Sequence, residues 1–343
     1  MNLNLHICNG DKFTSQFVEL MNSERIKGNH LYFIAEREVK YPIPDAVNVI
    51  YLKDFQNRLN GLIHLMWLMN KSSSIIIHGL FGKIIYILFS QPWLLKKCRW
   101  VIWGGDLYIH LKPKGNLIEK FEEFARKFVI ARLGYIQYWI KGDYEFAKAW
   151  YGTRAKFVEC LMYPSNTFTP MYFPRTKKDR LTILVGNSAD PSNNHIEVFT
   201  KLKEIDDGSM LIICPLSYGD MKYADTITVY GKELFAERFL SLRDYMSLDE
   251  YRKILFDIDI AIFAHKRQQA LGNTISLLGY GKKVYMRDDV TPWQTFHGMG
   301  LTIFPLHSLN LSPISETDSL KNTSIISNGF SKHVLVRQLN HIF

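Results

Sequence analysis

Residues 258–274 read IDIAIFAHKRQQALGNT. Ile258–Phe263 form an almost unbroken apolar run, rich in isoleucine and stopped abruptly by polar residues. Such a run is the pattern of a strand covered on both faces, which belongs to a parallel sheet. Its carboxyl end opens into a polar loop, the chain then takes helical spacing over Asn273–Tyr280, and the next strand is expected at Lys283–Met286. Strand, loop, helix and strand in this order predict an α/β fold built from βα units.

The same rhythm runs outward in both directions. In the second half, strands are expected at Leu181–Gly186, Met210–Cys214, Thr226–Tyr230 and Phe239–Leu242, with helices at Asn194–Ile205 and Leu248–Phe256. In the first half, strands are expected at Leu3–Cys8, Leu31–Ala35, Val47–Leu52, Ser74–His78, Trp100–Trp103 and Tyr135–Trp139. The helical stretch Leu117–Leu133 sets Phe121, Phe124, Ala125 and Phe128 on one side, which reads first as a core-packing face, with a membrane-facing one as the other reading. Between the halves lies YPSNTFTPMYFPRTKKDR, whose three prolines and basic cluster mark a linker. A chain of 343 residues exceeds the size at which one core stops growing. The expected organisation is a Rossmann-like domain over residues 1–165, a linker over 166–180, a second Rossmann-like domain over 181–320 and a helical tail over 321–343. The fold class is thus two doubly wound domains facing each other across a crevice.

With 47% hydrophobic and 22% charged residues the chain can fill two cores, which excludes disorder. Four widely spaced cysteines without a CxxC pair point to a reducing compartment and away from a thiolate metal site. The opening MNLNLHICNG carries neither a basic head nor a long apolar stretch, so no signal peptide is expected. The segment IIYILFSQPWLL is too short to cross a bilayer and is broken by Pro92. A cytoplasmic protein is the expectation. Its net charge of +9 calls for a partner, and Lys96, Lys97, Arg99, Lys112 and Lys114 follow closely on Trp93-Leu94-Leu95. Bases interleaved with apolar residues suit an anionic bilayer surface, with a solvated helix end as the other reading. Nucleic acid fits less well, because no binding module accompanies the charge. No cofactor and no metal are expected: there is no HExxH or EF-hand loop, and Asp257-Ile258-Asp259 lies at the start of a buried strand, away from its ligand-facing end.

Open parallel sheets bind ligands at the carboxyl ends of their strands, so the loops there hold the candidate sites. After one strand come Trp103-Gly104-Gly105-Asp106, with Tyr108 close behind. The glycines admit a ligand closely, and Asp106 is the candidate general base for an alcohol nucleophile, a turn or helix cap being the alternative. Gly186-Asn187-Ser188 precedes a helix and offers backbone N–H groups to an anion, yet it is neither a Walker A nor a GxGxxG turn. In the opening stretch, His265, Lys266 and Arg267 would stabilise charge leaving on a diphosphate, with Gln268, Gln269, Gly272, Asn273 and Thr274 hydrogen-bonding the donor. Tyr218 is placed to stack on a nucleobase, although a plain turn explains Pro215–Asp220 equally. Asn9, Gly10, His78 and Gly79 end two strands of the first domain and are the further candidates for acceptor contact.

The blocks VIWGGDLY, LTILVGNSADPSNNHIE and IFAHKRQQALGNTISLLGYGKKVYM resemble the 4-acetamido-4,6-dideoxy-galactose transferases of enterobacterial common antigen synthesis, the 4-α-L-fucosyltransferases of glycosyltransferase family 56. The resemblance runs from about residue 98 to about residue 300. It implies a GT-B fold and an inverting transfer of a deoxysugar from a nucleotide-sugar donor, dTDP-linked, to a polyprenyl-diphosphate-linked saccharide. It also implies work at the cytoplasmic face of the inner membrane. Trp103, Gly104 and Asp106 carry over on the acceptor side, and Gly186, Asn187, Ser188, Arg267, Gln268, Gln269 and Gly272 on the donor side. The family's Gly-Ala-Asp is Gly104-Gly105-Asp106 here, and the region after residue 300 is little matched, which leaves room for another deoxysugar or acceptor in O-antigen or capsule assembly. Two other classes share many of these residues: a nucleotide-sugar epimerase, which needs no second substrate, and a non-catalytic nucleotide-sugar-binding scaffold, which has no use for Asp106. A dehydrogenase lacks its GxGxxG after the first strand. Oligomeric state is left open.

Overall fold

A computed structural model describes residues 2–36, 41, 43, 46–172, 180–244 and 246–343. They divide into two units, Met1–Ser165 with His333–Phe343, and Asn166–Lys332. Residues 173–179 of the expected linker lie outside the described residues.

Unit 1 runs β1 (Leu3–Cys8), α1 (Lys12–Ser23), β2 (Asn29–Ile34), β3 (Val49–Tyr51), α2 (Arg58–Lys71), β4 (Ser74–His78), α3 (Ile84–Ser90), β5 (Cys98–Val101), α4 (Gly105–Tyr108), α5 (Leu117–Ile130), β6 (Tyr135–Tyr138), α6 (Lys141–Tyr151) and β7 (Lys156–Glu159). Its seven strands are all parallel, in the order β3-β2-β1-β4-β5-β6-β7. The chain leaves β1 toward one edge and later returns beside it as β4, so the order reverses between β1 and β4. Right-handed crossovers place α2, α3 and α5 together on one face of this sheet, opposite α1.

Unit 2 runs β8 (Leu181–Val185), α7 (His195–Glu204), β9 (Met210–Pro215), α8 (Met221–Phe235), β10 (Phe239–Leu242), α9 (Leu248–Asp257), β11 (Ile260–Phe263), α10 (Leu271–Gly279), β12 (Lys283–Met286), α11 (Thr291–Gly298), β13 (Phe304–Pro305) and α12 (Glu316–Gly329). The parallel order is β10-β9-β8-β11-β12-β13, which reverses between β8 and β11. Its core packs the inner faces of β8, β9 and β11 against Val198, Phe199 and Leu202 of α7 and Ile227 and Phe235 of α8. Two doubly wound units of this kind are the GT-B architecture expected from the sequence.

Three expectations are corrected. Thr226–Tyr230 is not a strand but the middle of α8, whose buried Ala224, Ile227, Gly231 and Phe235 keep a helical spacing that its β-branched residues mask. The tail is not one piece: α12 belongs to unit 2, where buried Asn322 bonds both the N–H and the C=O of Thr302, whereas α13 (Lys332–Ile342) buries Leu335 and Leu339 in unit 1. The face of α5 that packs inward carries Ala125, Arg126, Val129 and Ile130, while Phe121 and Phe124 stand 49% and 58% exposed. Among the described residues no helix is long and apolar enough to cross a membrane.

Candidate functional site

Each unit presents a topological switch point, and in each the loops that meet there are the polar ones. In unit 1 they are the loops after β1 (Asn9-Gly10-Asp11) and after β4 (Gly79-Leu80), with the β5 loop alongside. Gly79 has φ +85°, and a Cβ there would strike the Phe81 ring at 2.6 Å, which is why glycine follows His78. Phe13 and Trp103 meet edge to face, their centroids 5.6 Å apart, so the β1 and β5 loops are in contact.

Asp106 does not face this site. It is fully buried and accepts four N–H donors: Leu80 N at 2.9 Å, Trp100 Nε1 at 2.7 Å, Trp103 N at 3.0 Å and Leu107 N at 3.0 Å. Burial raises its pKa against those bonds and the nearby Arg126 charge, yet four donors leave no lone pair for a proton. Asp106 therefore ties the β4 and β5 loops together, and the expectation of a base at this position is overturned. Arg126, itself buried, completes the tie by donating to Leu80 O at 2.7 Å.

A second carboxylate among these loops is Asp11. Its Oδ1 caps α1, accepting from Phe13 N at 2.8 Å and Thr14 N at 3.0 Å. Its Oδ2 is buried and accepts no hydrogen bond among the described residues. Burial, with a smaller push from the Glu36 carboxylate, raises Asp11 to about 6 despite its capping bonds. Glu36, just beyond β2, accepts from Gly10 N at 3.1 Å and so holds the β1 loop. The sequence signal for Asp11 was an Asn-Gly-Asp turn closing the first strand, read there as acceptor contact by Asn9 and Gly10 only.

His78 is also withdrawn as a ligand contact, because both its ring nitrogens are used inside the unit. Trp103 Nε1 donates to Tyr163 Oη at 2.7 Å, and Tyr163 Oη lies 2.6 Å from His78 Nδ1. His78 Nε2 is 3.0 Å from His6 Nδ1, His6 Nε2 is 3.0 Å from His30 Nδ1, and His30 Nε2 is 2.8 Å from Lys27 O. A carbonyl only accepts, so His30 Nε2 carries a proton; burial lowers the pKa of all three imidazoles, which are neutral, and every tautomer follows. The bonds then run one way, Trp103 to Tyr163 to His78 to His6 to His30 to Lys27 O. Tyr108 is likewise turned inward, donating to Asp143 at 3.2 Å. Asn9, Gly10 and Gly79 lie in the loops at the switch point, and Trp103, Gly104 and Gly105 in the β5 loop beside them.

In unit 2 the hub is Asn193, a fully buried residue of the loop between β8 and α7. Its Oδ1 accepts from Asn187 N at 2.9 Å and His265 Nε2 at 2.8 Å, and its Nδ2 donates to Asp190 O at 2.9 Å and Ser188 Oγ at 3.2 Å. The β8 and β11 loops are thereby joined, and Ser192 Oγ adds a bond to Gln269 Oε1 at 2.8 Å. Gly186 has φ +69°, and a Cβ there would lie 2.6 Å from His195 Nε2 and 2.7 Å from Asn193 Oδ1. The β9 loop is tied in by Asp220 N to Ala189 O at 2.9 Å, which brings the Tyr218 hydroxyl within 2.9 Å of Asn187 Nδ2. The Tyr218 ring is 43% exposed.

His265 is not a cation here. Burial, helped by Arg267 and His195, lowers it to about 3, and its Nε2 proton is spent on Asn193. Ser188 and Thr274 are buried with their hydroxyls bonded inward, so neither is a donor contact. Lys266 is exposed and Arg267 half-buried, its guanidinium 4.0 Å from Asp190. Beside them α10 opens on Ala270 without a side-chain cap, so its first N–H groups at Leu271, Gly272 and Asn273 point out with the helix dipole behind them. Two cations and an uncapped helix start suit a diphosphate. Among the described residues no group of three or more His, Cys, Asp or Glu could hold a metal ion.

Solved structures share the whole fold. A glycosyltransferase from Rickettsia africae superposes with a TM-score of 0.67 at 11% identity, covering 99% of this chain and 97% of that one. Anabaena HepE in complex with UDP-glucose gives 0.65 at 10% identity, covering 100% and 99%. Sucrose-phosphate synthase from Thermosynechococcus elongatus gives 0.67 at 8%, covering 100% and 98%. The fold, two doubly wound units each with a switch point, is that of the GT-B class of glycosyltransferases. The model of one such family matches residues 18–318, and the chain belongs to it: 4-alpha-L-fucosyltransferase, glycosyl transferase group 56.

Proposed function

We propose that unit 2 holds a nucleoside-diphosphate sugar, dTDP-linked and carrying a deoxysugar, and that unit 1 presents the hydroxyl of a polyprenyl-diphosphate-linked saccharide to it, with inversion. The observation that carries the donor half is the Asn193 hub, which gathers the β8 and β11 loops beside Arg267, Lys266 and the uncapped start of α10. HepE, whose fold this chain shares, is solved in complex with UDP-glucose, which supports a nucleoside-diphosphate sugar as the donor. Asn187, Gln268, Gln269 and Asn273 are the hydrogen-bonding groups for the base and sugar, and Tyr218 the stacking surface.

In the reaction Asp11 takes the proton of the acceptor hydroxyl, the oxygen attacks the anomeric carbon, and the bond to the diphosphate breaks with its electron pair passing to the phosphate. Arg267, Lys266 and the α10 N–H groups receive that charge. Asp11 suits the role because it is basic near neutrality and one oxygen lacks a protein partner. An acceptor on a lipid suits work at the cytoplasmic surface of the bacterial inner membrane.

Calorimetry of dTDP, UDP, GDP and CMP against the purified chain, with and without magnesium, tests the donor. Tight binding of dTDP without magnesium is expected. Preference for UDP or GDP would keep the transferase and change its donor; no binding by any of the four would remove the donor site.

A further inference from the structure

The outer side of the helical layer in unit 1 is apolar where a helix pair should be wet. On α2, Leu59, Ile63 and Trp67 recur every four residues and all point out, each more than half exposed. On α5, Leu117, Ile118, Phe121 and Phe124 do the same, between 49% and 82% exposed. α3 and the turn after it bridge the two rows. Phe89 of α3 packs edge to face on Phe121 and Phe124, their centroids 5.9 Å and 6.0 Å away, and the turn after α3 carries Trp93, 65% exposed, whose indole N–H reaches Asn70 at the end of α2 at 3.0 Å. An apolar surface of this breadth on one face is a contact surface, since scattered exposed residues do not line up on adjacent helices.

The charge around it identifies the partner. Residues 53–132, which build this layer, hold thirteen lysines and arginines against five acids, so eight of the chain's nine net positive charges are in less than a quarter of its length. Lys83, Lys96, Lys112 and Lys120 stand exposed among the apolar residues. A second copy of the same face would bring the same positive ring and be repelled. Aromatic and aliphatic side chains amid lysines, with a tryptophan whose one polar atom is already bonded, match the interface of an anionic bilayer.

We infer that the α2–α3–α5 face of unit 1 docks on the surface of a bilayer containing anionic phospholipid, with the apolar rows entering the headgroup region. The inference goes beyond sugar transfer and is tested without any sugar nucleotide, so either can fail alone.

The experiment is sedimentation of the full chain with vesicles of phosphatidylethanolamine and about one-third phosphatidylglycerol, against vesicles of phosphatidylcholine alone. Expected is binding to the first that falls at least about tenfold on the second and on raising salt to about 0.5 M. Phe121→Ser with Phe124→Ser should abolish it, while Val229→Ser, an exposed residue of α8, leaves it unchanged. Lys112→Gln with Lys120→Gln leaves the apolar rows intact and should weaken binding to the anionic vesicles alone, which guards against a double phenylalanine variant that fails to fold. Equal binding to both vesicle types, no binding to either, or undiminished binding by the folded Phe121/Phe124 variant overturns the inference. So does a dimer in sedimentation equilibrium that the Phe121/Phe124 variant dissolves in the absence of vesicle binding.

Discussion

Asp11→Asn separates activity from stability in a direction that few catalytic substitutions do. Folding carries the Asp11 carboxyl from the ordinary 3.8 to about 6. A group whose folded pKa is raised stabilises the fold fully below the unfolded pKa, and that contribution is lost as pH rises through the folded one. At pH 7 the ionised, buried carboxylate therefore costs unit 1 about 3 kcal/mol, an upper figure for a shift near two pH units. Asparagine keeps an oxygen to cap α1 through Phe13 N and Thr14 N, and removes the charge. The expected result is a thermal midpoint equal to or above wild type at pH 7, with the difference vanishing near pH 4. Transfer, measured as labelled sugar incorporated into lipid acceptor, should fall about 10²- to 10⁴-fold, the span of a lost general base. In the wild type, kcat/KM should fall as pH drops below about 6, and the residual Asp11→Asn activity should lack that limb. Activity within tenfold of wild type, or a loss that tracks unfolding, would refute the assignment.

Asp106→Asn should behave in the opposite way: asparagine sets an NH₂ among N–H donors and leaves at least one of them without an acceptor, costing about 1–3 kcal/mol, so the variant should melt early or fail to accumulate on expression. Asn193→Ala orphans Asn187 N, about 1–3 kcal/mol, and leaves His265 Nε2 only its longer contact with Asn187 Oδ1 at 3.2 Å, and calorimetry should show weaker nucleotide binding with unit 1 unaffected. His195 and His265 stay neutral down to about 4 and about 3, whereas the unfolded chain protonates them near 6.5; stability present above that pH is lost as pH falls, by about 1.4 kcal/mol per histidine at pH 5.5, and thermal melts between pH 7 and 5.5 read it directly.

Most strands of both sheets were legible because each is a short apolar run covered on both faces, and Ser74–His78 coincides with β4 residue for residue, whereas the partly exposed edge strands β7 and β13 were not expected. Thr226–Tyr230 misled because β-branched residues sat on a helix, where burial spacing and not propensity sets the type. The loops were found from the rule that ligands gather at strand ends, but which side chain in a loop faces out depends on bonds between loops distant in sequence. Asp106 is the instance: its four donors come from residues 80, 100, 103 and 107, and only the fold brings Leu80 N and Trp100 Nε1 to it. Asp11 escaped for the converse reason, since a capping aspartate looks the same in sequence whether its second oxygen is in water or in protein. The α5 aromatics were assigned inward because a stripe of phenylalanines at helical spacing has no sign; the sheet decides which stripe is buried, and here it chose the one with Ala125 and Val129.

The one-way string from Trp103 to Lys27 O has a consequence for anyone who redesigns this domain. Each of its middle members gives one proton and takes one, so a replacement must be both donor and acceptor at the same spacing, and in the same order. A phenylalanine at residue 6 would leave the His78 Nε2 proton facing carbon on one side and the His30 Nδ1 lone pair facing carbon on the other. Two separate buried groups would be stranded by one exchange, and turning either ring over would only pass the mismatch to the next residue along. The unit of inheritance at this spot is thus the whole string: Tyr163, His78, His6 and His30 cannot be exchanged for apolar residues one at a time.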